Sequence, residues 1–124
     1  MQITITVGDL SMEAELNDSP TAKKVAEALP ITTSFSTWGE EIYFPIPVHA
    51  ELDETAREVV ELGDLGYWPT GNAFCIFFGQ TPMSEPEKIV PASAVNIIGK
   101  VIGDAAKFKQ VMGERNVSLE PVVP

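Results

Sequence analysis

Aromatic, glycine and proline residues are concentrated between positions 61 and 82, and this stretch constrains the fold more than any other. It holds five aromatic residues, four glycines and two prolines in 22 residues. Glycine and proline favour tight turns, whereas aromatic residues favour strands that pack against a core. The stretch therefore predicts short strands bent around a small core, with some aromatic side chains left near the bends.

Alternation of apolar and polar residues predicts strands along most of the chain. Gln2–Val7 and Ser11–Leu16 alternate in this way on either side of a Gly8-Asp9 turn, which predicts an N-terminal β-hairpin with one buried face. The almost wholly apolar segment 73–78 is predicted to be a central strand. Residues 48–55 and 79–94 are predicted to be irregular connections. The remaining predicted strands are 31–38, 41–44, 58–62, 66–68, 96–102 with an interruption at Gly99, and 117–119.

Two helices are predicted. Asp18 or Ser19 can cap the first, Pro20 suits its first turn and Pro30 ends it. Its apolar residues recur at helical spacing and form a stripe that faces the core, composed of Ala22, Val25, Ala26 and Leu29. A shorter helix is predicted over 104–112, with Ala105, Phe108 and Met112 on one side.

Eight or nine short strands with regular turn signals favour a barrel or a sandwich. At 124 residues, with 44% hydrophobic residues, the chain has the length and the apolar content of one folded domain, residues 1–124. Pairing of protomers into a homo-oligomer is left open by the sequence.

The formal net charge of −10 excludes several partner classes. Residues 1–64 hold 13 acidic and 3 basic residues, whereas residues 65–124 hold 5 of each. Nucleic acids and anionic membranes require basic surface, so we expect neither as a partner. Solubility explains the acidity, and a cationic ligand or basic partner is the alternative. The N-terminus lacks the basic region and the long apolar region of a signal peptide, and no apolar run reaches the roughly 18 residues needed to span a bilayer. The sequence therefore favours a cytoplasmic protein.

Four segments together carry a resemblance to a known family. They are Thr37–Phe44, Gly63–Asn72, Phe77–Pro82 and Pro91–Lys100. With these segments, nearly the whole chain resembles a small prokaryotic family of cyclophilin-like proteins of unknown function, typified by a protein of a hyperthermophilic bacterium. The resemblance implies a mainly β fold: a closed cyclophilin-like barrel of about eight strands, with one or two short helices.

A residual prolyl isomerase activity is a further alternative that the resemblance raises, but the sequence lacks the catalytic motif of that activity. Cyclophilins with that activity have a catalytic arginine followed by phenylalanine five residues on and glutamine eight residues on. Here Arg57 is followed at those positions by Leu62 and Leu65, and Arg115 by Glu120 and Val123. Without the guanidinium, a main electrostatic contribution to the transition state is missing.

Aromatic residues near turns and strand ends are the candidates for a binding site. An apolar floor with a few polar groups at its rim is typical of small-molecule and peptide sites. Tryptophan and tyrosine are the better surface candidates, because each has a polar group that can stay hydrated. The candidate ligand-binding residues are Trp38, Glu40, Tyr43, Phe44, Tyr67, Trp68, Asn72, Phe78, Gln80 and Thr81.

Two functions from different classes follow. The first is a binding module for a peptide or a small amide-bearing ligand in an aromatic-lined groove. The second is an enzyme acting on an amide or cyclic amide, with Glu40 or Glu41 as acid or base. A carboxylate near aromatic residues can have a raised pKa, although neighbouring residues on a strand face opposite sides and do not form a pair.

Neither a cofactor nor a metal site is predicted. The single cysteine, Cys75, excludes an internal disulfide and lies in an apolar strand, where a thiol is inert. The single histidine, His49, cannot build a histidine-based zinc site. The acidic residues Glu51, Asp53 and Glu54 lack the order of a calcium-binding loop.

Overall fold

A computed structural model describes residues 1–122 of the chain. Ten strands, one α-helix and two 3₁₀ helices follow one another along this range. The α-helix α1 is Pro20–Ala28, and the 3₁₀ helices are Pro69–Gly71 and Ala105–Val111. The strands are β1 (Gln2–Val7), β2 (Leu10–Leu16), β3 (Ile31–Ser34), β4 (Ser36–Thr37), β5 (Glu41–Pro45), β6 (Ala56–Arg57), β7 (Asp64–Trp68), β8 (Ala73–Phe77), β9 (Val95–Val101) and β10 (Asn116–Pro121).

Nine strands lie side by side in the order β3-β10-β1-β2-β9-β7-β8-β5-β4, and β6 pairs with β9 off this path. The pairings are antiparallel. The chain passes from β3 to β4 through Phe35, whose N–H donates to the Arg115 carbonyl oxygen at 3.0 Å. This short connection joins the two ends of the sheet and nearly closes it, which confirms the predicted mainly β barrel.

The N-terminal half of the barrel follows its sequence pattern closely. β1 and β2 pair from Gln2↔Glu15 to Val7↔Leu10, and Gly8 takes a positive φ of 56° in the turn between them. Ser19 caps α1, its Oγ accepting from the Ala22 N–H at 3.3 Å, as predicted. The apolar stripe of α1 packs against the core of the barrel. No helix within residues 1–122 has the length and apolar character needed to cross a bilayer.

Three predicted elements differ from the observed ones. The predicted strand 31–38 is divided into β3 and β4 at Phe35, where the chain leaves one end of the sheet for the other. The predicted strand 58–62 is a turn-rich segment in which Val60 makes an isolated bridge with Ile89. The predicted strand 66–68 begins two residues earlier, as β7 at Asp64. The Asp64 carboxylate accepts from the Glu61 N–H at 2.8 Å and closes the turn that precedes this strand.

The predicted second helix is a 3₁₀ helix. Its buried side chains are Ala105, Phe108 and Val111, spaced three residues apart, whereas Met112 is half-buried. A 3₁₀ helix has three residues per turn, so this spacing places all three buried residues on one side.

The sheet is buried on both faces along β5, β8, β7 and β9. The main core fills the barrel and receives Ile42, Phe44, Leu65, Phe74 and Ile76 among others. A smaller cluster lies on the outer face, and we call it the outer cluster. It consists of Val60, Ala73, Cys75, Phe77 and Val95, with Tyr43, Trp68, Ile89 and Ile97 packed against it. β8 contributes to both, so all five of its residues are buried, which confirms the predicted central strand.

Residues 79–94, which we call the covering segment, lie over the outer cluster. The segment is irregular, as predicted, but internally hydrogen-bonded. Thr81 Oγ1 donates to the Val90 carbonyl oxygen, and Ser84 Oγ accepts from the Val90 N–H at 3.0 Å. Val60 N–H donates to the Ile89 carbonyl oxygen at 2.9 Å, which ties the segment to the turn before β7. The covering segment therefore forms an outer wall with fixed internal contacts.

Gly99 does not interrupt β9, and its missing side chain is required for strand packing. A Cβ at Gly99 would lie 2.2 Å from the carbonyl oxygen of Glu15 on β2. We expect Gly99→Ala to lower the free energy of unfolding by about 1–3 kcal/mol, since the backbones of β9 and β2 must move apart to admit the methyl group. Gly113 has no heavy atom within 4 Å of the same position, so Gly113→Ala is the matched control and should be neutral or slightly stabilising. Chemical denaturation measures both variants; equal loss in the two would contradict the close approach at Gly99.

Candidate functional site

An apolar pocket of about 200 Å³ lies on the outer face of the barrel, between the sheet and the covering segment. Its residues come from five parts of the chain. They are Trp38 after β4, Glu41 and Tyr43 on β5, Trp68 at the end of β7, Pro91 and Ala92 in the covering segment, and Val95 on β9.

Strand alternation explains why β5 sends Glu41 and Tyr43 into this pocket. Side chains two residues apart on a strand share a face. Ile42 and Phe44 are fully buried in the barrel core, so Glu41 and Tyr43 must face outward. They lie opposite Phe77 and Cys75 of β8, two members of the outer cluster.

Trp68 is held in place from two sides. Its indole Nε1–H donates to Ser93 Oγ at 2.6 Å, which fixes the ring against the covering segment. A Cβ at Gly71 would lie 2.9 Å from ring atoms of Trp68, so the indole packs directly over that glycine. One wall of the pocket is therefore positioned before any ligand arrives.

Trp38 is positioned by the turn between β4 and β5. Its N–H donates to the Glu41 carbonyl oxygen at 2.9 Å, which closes the turn. Gly39 follows with a φ of +61°, and a Cβ there would lie 2.7 Å from the Gln80 carbonyl oxygen. The start of the covering segment is thus packed against this turn, and Trp38 lies where turn, sheet and covering segment meet.

Glu41 is the acidic member of the pocket and is only 6% exposed. Burial raises the pKa of its carboxyl from 4.5 to about 7, and a hydrogen bond with the Cys75 thiol opposes that rise only in part. Low-dielectric surroundings disfavour the charged form of an acid. Near pH 7 the group is therefore divided between a neutral acid, which can donate a proton, and a carboxylate, which can accept one.

Cys75 lies behind Glu41 and is buried. Burial, followed by the charge of the Glu41 carboxylate, raises the pKa of the thiol well above its ordinary value. A thiol in such surroundings is a poor nucleophile. The structural role predicted for Cys75 agrees with this position.

Glu40 lies outside the pocket. Its Oε2 pairs with Lys109 Nζ at 3.4 Å, and its Oε1 accepts from the Gln80 N–H at 3.3 Å. The two adjacent glutamates therefore occupy different environments, since Glu40 lies in the turn before β5 and Glu41 is the first residue of that strand. Of the pair, Glu41 is the one that lines the pocket.

The other predicted site residues divide into three sets. Trp38, Tyr43 and Trp68 meet in the pocket. Phe44, Tyr67 and Phe78 are fully buried in the main core, where they have no surface to offer a ligand. Asn72, Gln80 and Thr81 fix loops. The Asn72 carbonyl oxygen accepts from the Ile46 N–H at 2.9 Å, Gln80 Nε2 donates to the Glu85 carbonyl oxygen at 3.2 Å, and Thr81 binds within the covering segment.

Pro91, Ala92 and Val95 are pocket residues that were not among the predicted ones. In the sequence these residues are marked only by the apolar content of a segment rich in proline. That they lie near β5 depends on contacts between segments far apart in the chain, which a local pattern does not show. Neither Arg57 nor Arg115 lines the pocket. Residues 1–122 also contain no group of three or more His, Cys, Asp or Glu residues placed to hold a metal ion.

The raised pKa of Glu41 makes stability depend on pH. Its folded-state pKa of about 7 lies above the unfolded value near 4.5, so the folded protein holds this proton more tightly. The resulting contribution is complete below pH 4.5 and is lost as the pH rises through 7; at about 1.4 kcal/mol per pKa unit it amounts to about 3 kcal/mol. We expect Glu41→Gln to remove it, measured as the free energy of unfolding from pH 5 to 8.

Glu40→Gln is the matched control and should retain the wild-type slope, since Glu40 is partly exposed and paired with Lys109. Burial also raises the pKa of Asp64, so the difference between wild type and variant isolates Glu41 better than the absolute slope. Parallel pH profiles for wild type and Glu41→Gln would contradict the burial of an ionisable carboxyl in the pocket.

Comparison with known proteins places this fold. The family model described as cyclophilin-like matches residues 1–120. The solution structure of a hypothetical protein from Archaeoglobus fulgidus is 41% identical and superposes with a TM-score of 0.81, covering 98% of this chain and 95% of that one. The structure of McbB in complex with tryptophan is 14% identical with a TM-score of 0.70, and its match covers 98% of this chain but 46% of McbB. No curated protein matches the chain. On the family match over nearly its whole length, the chain belongs to the cyclophilin-like family.

Proposed function

We propose that the protein binds a small amide-bearing or heteroaromatic group in the pocket bounded by Trp38, Tyr43 and Trp68, with Glu41 as its polar anchor. The observation that supports this most is the buried Glu41 carboxyl in an otherwise apolar wall. Small-molecule sites typically combine apolar walls with a few polar groups that fix orientation.

The size of the pocket limits what it can enclose. Its volume of about 200 Å³ is smaller than the range of about 300–1,000 Å³ that is typical of ligand sites. An apolar cavity of about 150 Å³ in another protein accommodates benzene. The pocket therefore suits one ring or one side chain, and the rest of a peptide ligand would lie over the exposed rim at Ala92.

The chemistry of Glu41 suits an amide. A neutral carboxylic acid donates through its O–H and accepts through its C=O, and an amide offers the complementary N–H and C=O. Because the pKa of Glu41 is about 7, this neutral form is well populated at neutral pH. The thiol of Cys75 is a weak hydrogen-bonding partner, so the carboxyl keeps most of its capacity for a ligand. An indole N–H can likewise donate to the carboxylate, and the McbB structure with tryptophan makes indole compounds suitable probes.

Tryptophan fluorescence tests this proposal, because both tryptophans of the chain line the pocket. Small amides, indoles and short peptides should include compounds that change the emission in a saturable way. For such a compound we expect Trp68→Ala to weaken binding about tenfold or more, since buried aromatic anchors contribute strongly to affinity. Trp38 keeps the fluorescence signal in that variant.

Leu62→Ala is the control, since Leu62 is 48% exposed and does not line the pocket. It should bind as the wild type does. Binding that survives Trp68→Ala unchanged, in a protein that remains folded, would contradict the proposed site.

Acid–base catalysis on an amide or cyclic amide is the second candidate function. It is favoured by one observation: the Glu41 carboxyl is buried in the wall of the pocket. This burial raises its pKa to about 7, near the value at which a group transfers protons most effectively at neutral pH. Glu41 would donate a proton to the carbonyl or leaving nitrogen, or accept one from an attacking group. The sequence left open whether Glu40 or Glu41 would be the acid or base, and we propose Glu41.

If an amide-hydrolysing or isomerising activity is found, its rate should follow an apparent pKa near 7 that belongs to Glu41. We expect Glu41→Gln to lower kcat by about 10²-fold or more and to remove this pH dependence. Glu40→Gln should leave both in place. A full pH dependence in Glu41→Gln would exclude this carboxyl as the acid or base.

A further inference from the structure

We propose that the group taken up by the pocket is a small alkylated ammonium cation, surrounded by Trp38, Tyr43 and Trp68 with the Glu41 carboxylate as its counter-ion. This inference rests on the proposed use of the same pocket as a binding site, and it names a cationic class of ligand in place of the amide-bearing or heteroaromatic group.

Three aromatic side chains around one small cavity are the first reason. Tryptophan, followed by tyrosine, has the aromatic ring that attracts a cation most strongly, and aromatic surroundings are a recurrent way to bind quaternary ammonium groups. Both tryptophans of the chain and one of its two tyrosines lie at this cavity. Phenylalanine is weaker in this respect, and none of the six phenylalanines lines the pocket; Phe44, Phe74 and Phe78 are fully buried in the main core.

The charge around the pocket is the second reason. Glu41 is the charged residue in its lining, and neither lysine nor arginine contributes to it. Lys109 is paired with Glu40 outside the pocket, and Lys100 lies 3.8 Å from Asp64. With 18 acidic and 8 basic residues, the whole molecule raises the local concentration of cations.

The apolar walls decide which kind of cation fits. The side chains of Pro91, Ala92 and Val95 are apolar and cannot replace the water bound to a cation. A metal ion or an unsubstituted ammonium would lose hydration there without compensation. Alkyl substituents reduce hydration and bury apolar surface, so a methylated ammonium matches both the walls and the single carboxylate.

Calorimetry with choline and with its uncharged isostere 3,3-dimethylbutan-1-ol tests this directly, because the two have the same shape and differ in charge. At about pH 8 we expect choline to bind at least about tenfold more tightly than the alcohol. The preference should fall roughly tenfold by about pH 5.5, where Glu41 is protonated. Tyr43 and Cys75 are the titratable groups beside Glu41 on this face, so Glu41→Gln identifies the source of the pH dependence.

Two variants separate the charge from the aromatic contribution. Glu41→Gln should abolish the pH dependence and reduce the preference for choline. Trp38→Leu keeps an apolar wall but removes the ring, and it should weaken choline about threefold to tenfold while changing the alcohol little.

Tighter binding of the alcohol, or equal binding of the two, would overturn the cation assignment and leave the proposed binding site intact. Binding of an amide or indole at Trp68, with no binding of choline, would have the same meaning. If no amide, indole or ammonium compound binds the folded wild-type protein, the proposed function itself fails, and the cation assignment fails with it.

Discussion

Burial of the sheet on both faces is the constraint from which the site follows. A barrel of this kind needs one apolar face for its interior, and strands β5, β8, β7 and β9 carry a second one outside. That outer face has to be covered, because a large exposed apolar patch is costly in water. The covering segment does this through Ile89 and Pro91. The pocket is the space that this second layer leaves beside the aromatic residues.

Glu41 gives that space its chemical character. A carboxyl in an apolar wall costs stability in its charged form and is retained only where structure or function maintains it. Glu40, in the turn just before β5, is paired with Lys109, so a partly exposed glutamate precedes the buried one in the chain. A bound group that donates a hydrogen bond or carries positive charge would compensate the burial of Glu41. In the proposed function, the burial that destabilises the charged form of Glu41 in the free protein is therefore what strengthens its interaction with a ligand.

Local pattern predicted those parts of the fold in which one face is polar. For this reason the sequence predicts β1 and β2 from their alternation of apolar and polar residues, and it predicts the start of α1 from its cap at Ser19. On β5, Ile42 and Phe44 face the barrel interior, so strand alternation places the intervening Tyr43 on the outer face. On β7 the sequence could not tell whether Tyr67 or Trp68 faces inward, because both faces are apolar. Trp68 lies at the pocket, whereas Tyr67 donates its hydroxyl proton to the Val48 carbonyl oxygen at 2.7 Å inside the protein. Pro91 and Ala92 reach the pocket through contacts between distant segments, which no local pattern reveals.

The most direct measurement is a crystal structure of the protein soaked with a mixture of small amides, indoles and alkylammonium salts. We expect electron density for one of these groups between Trp38 and Trp68, with a polar or cationic atom next to the Glu41 carboxyl. Occupancy at other surfaces only, with water in this pocket, would contradict the assignment of the pocket as the functional site.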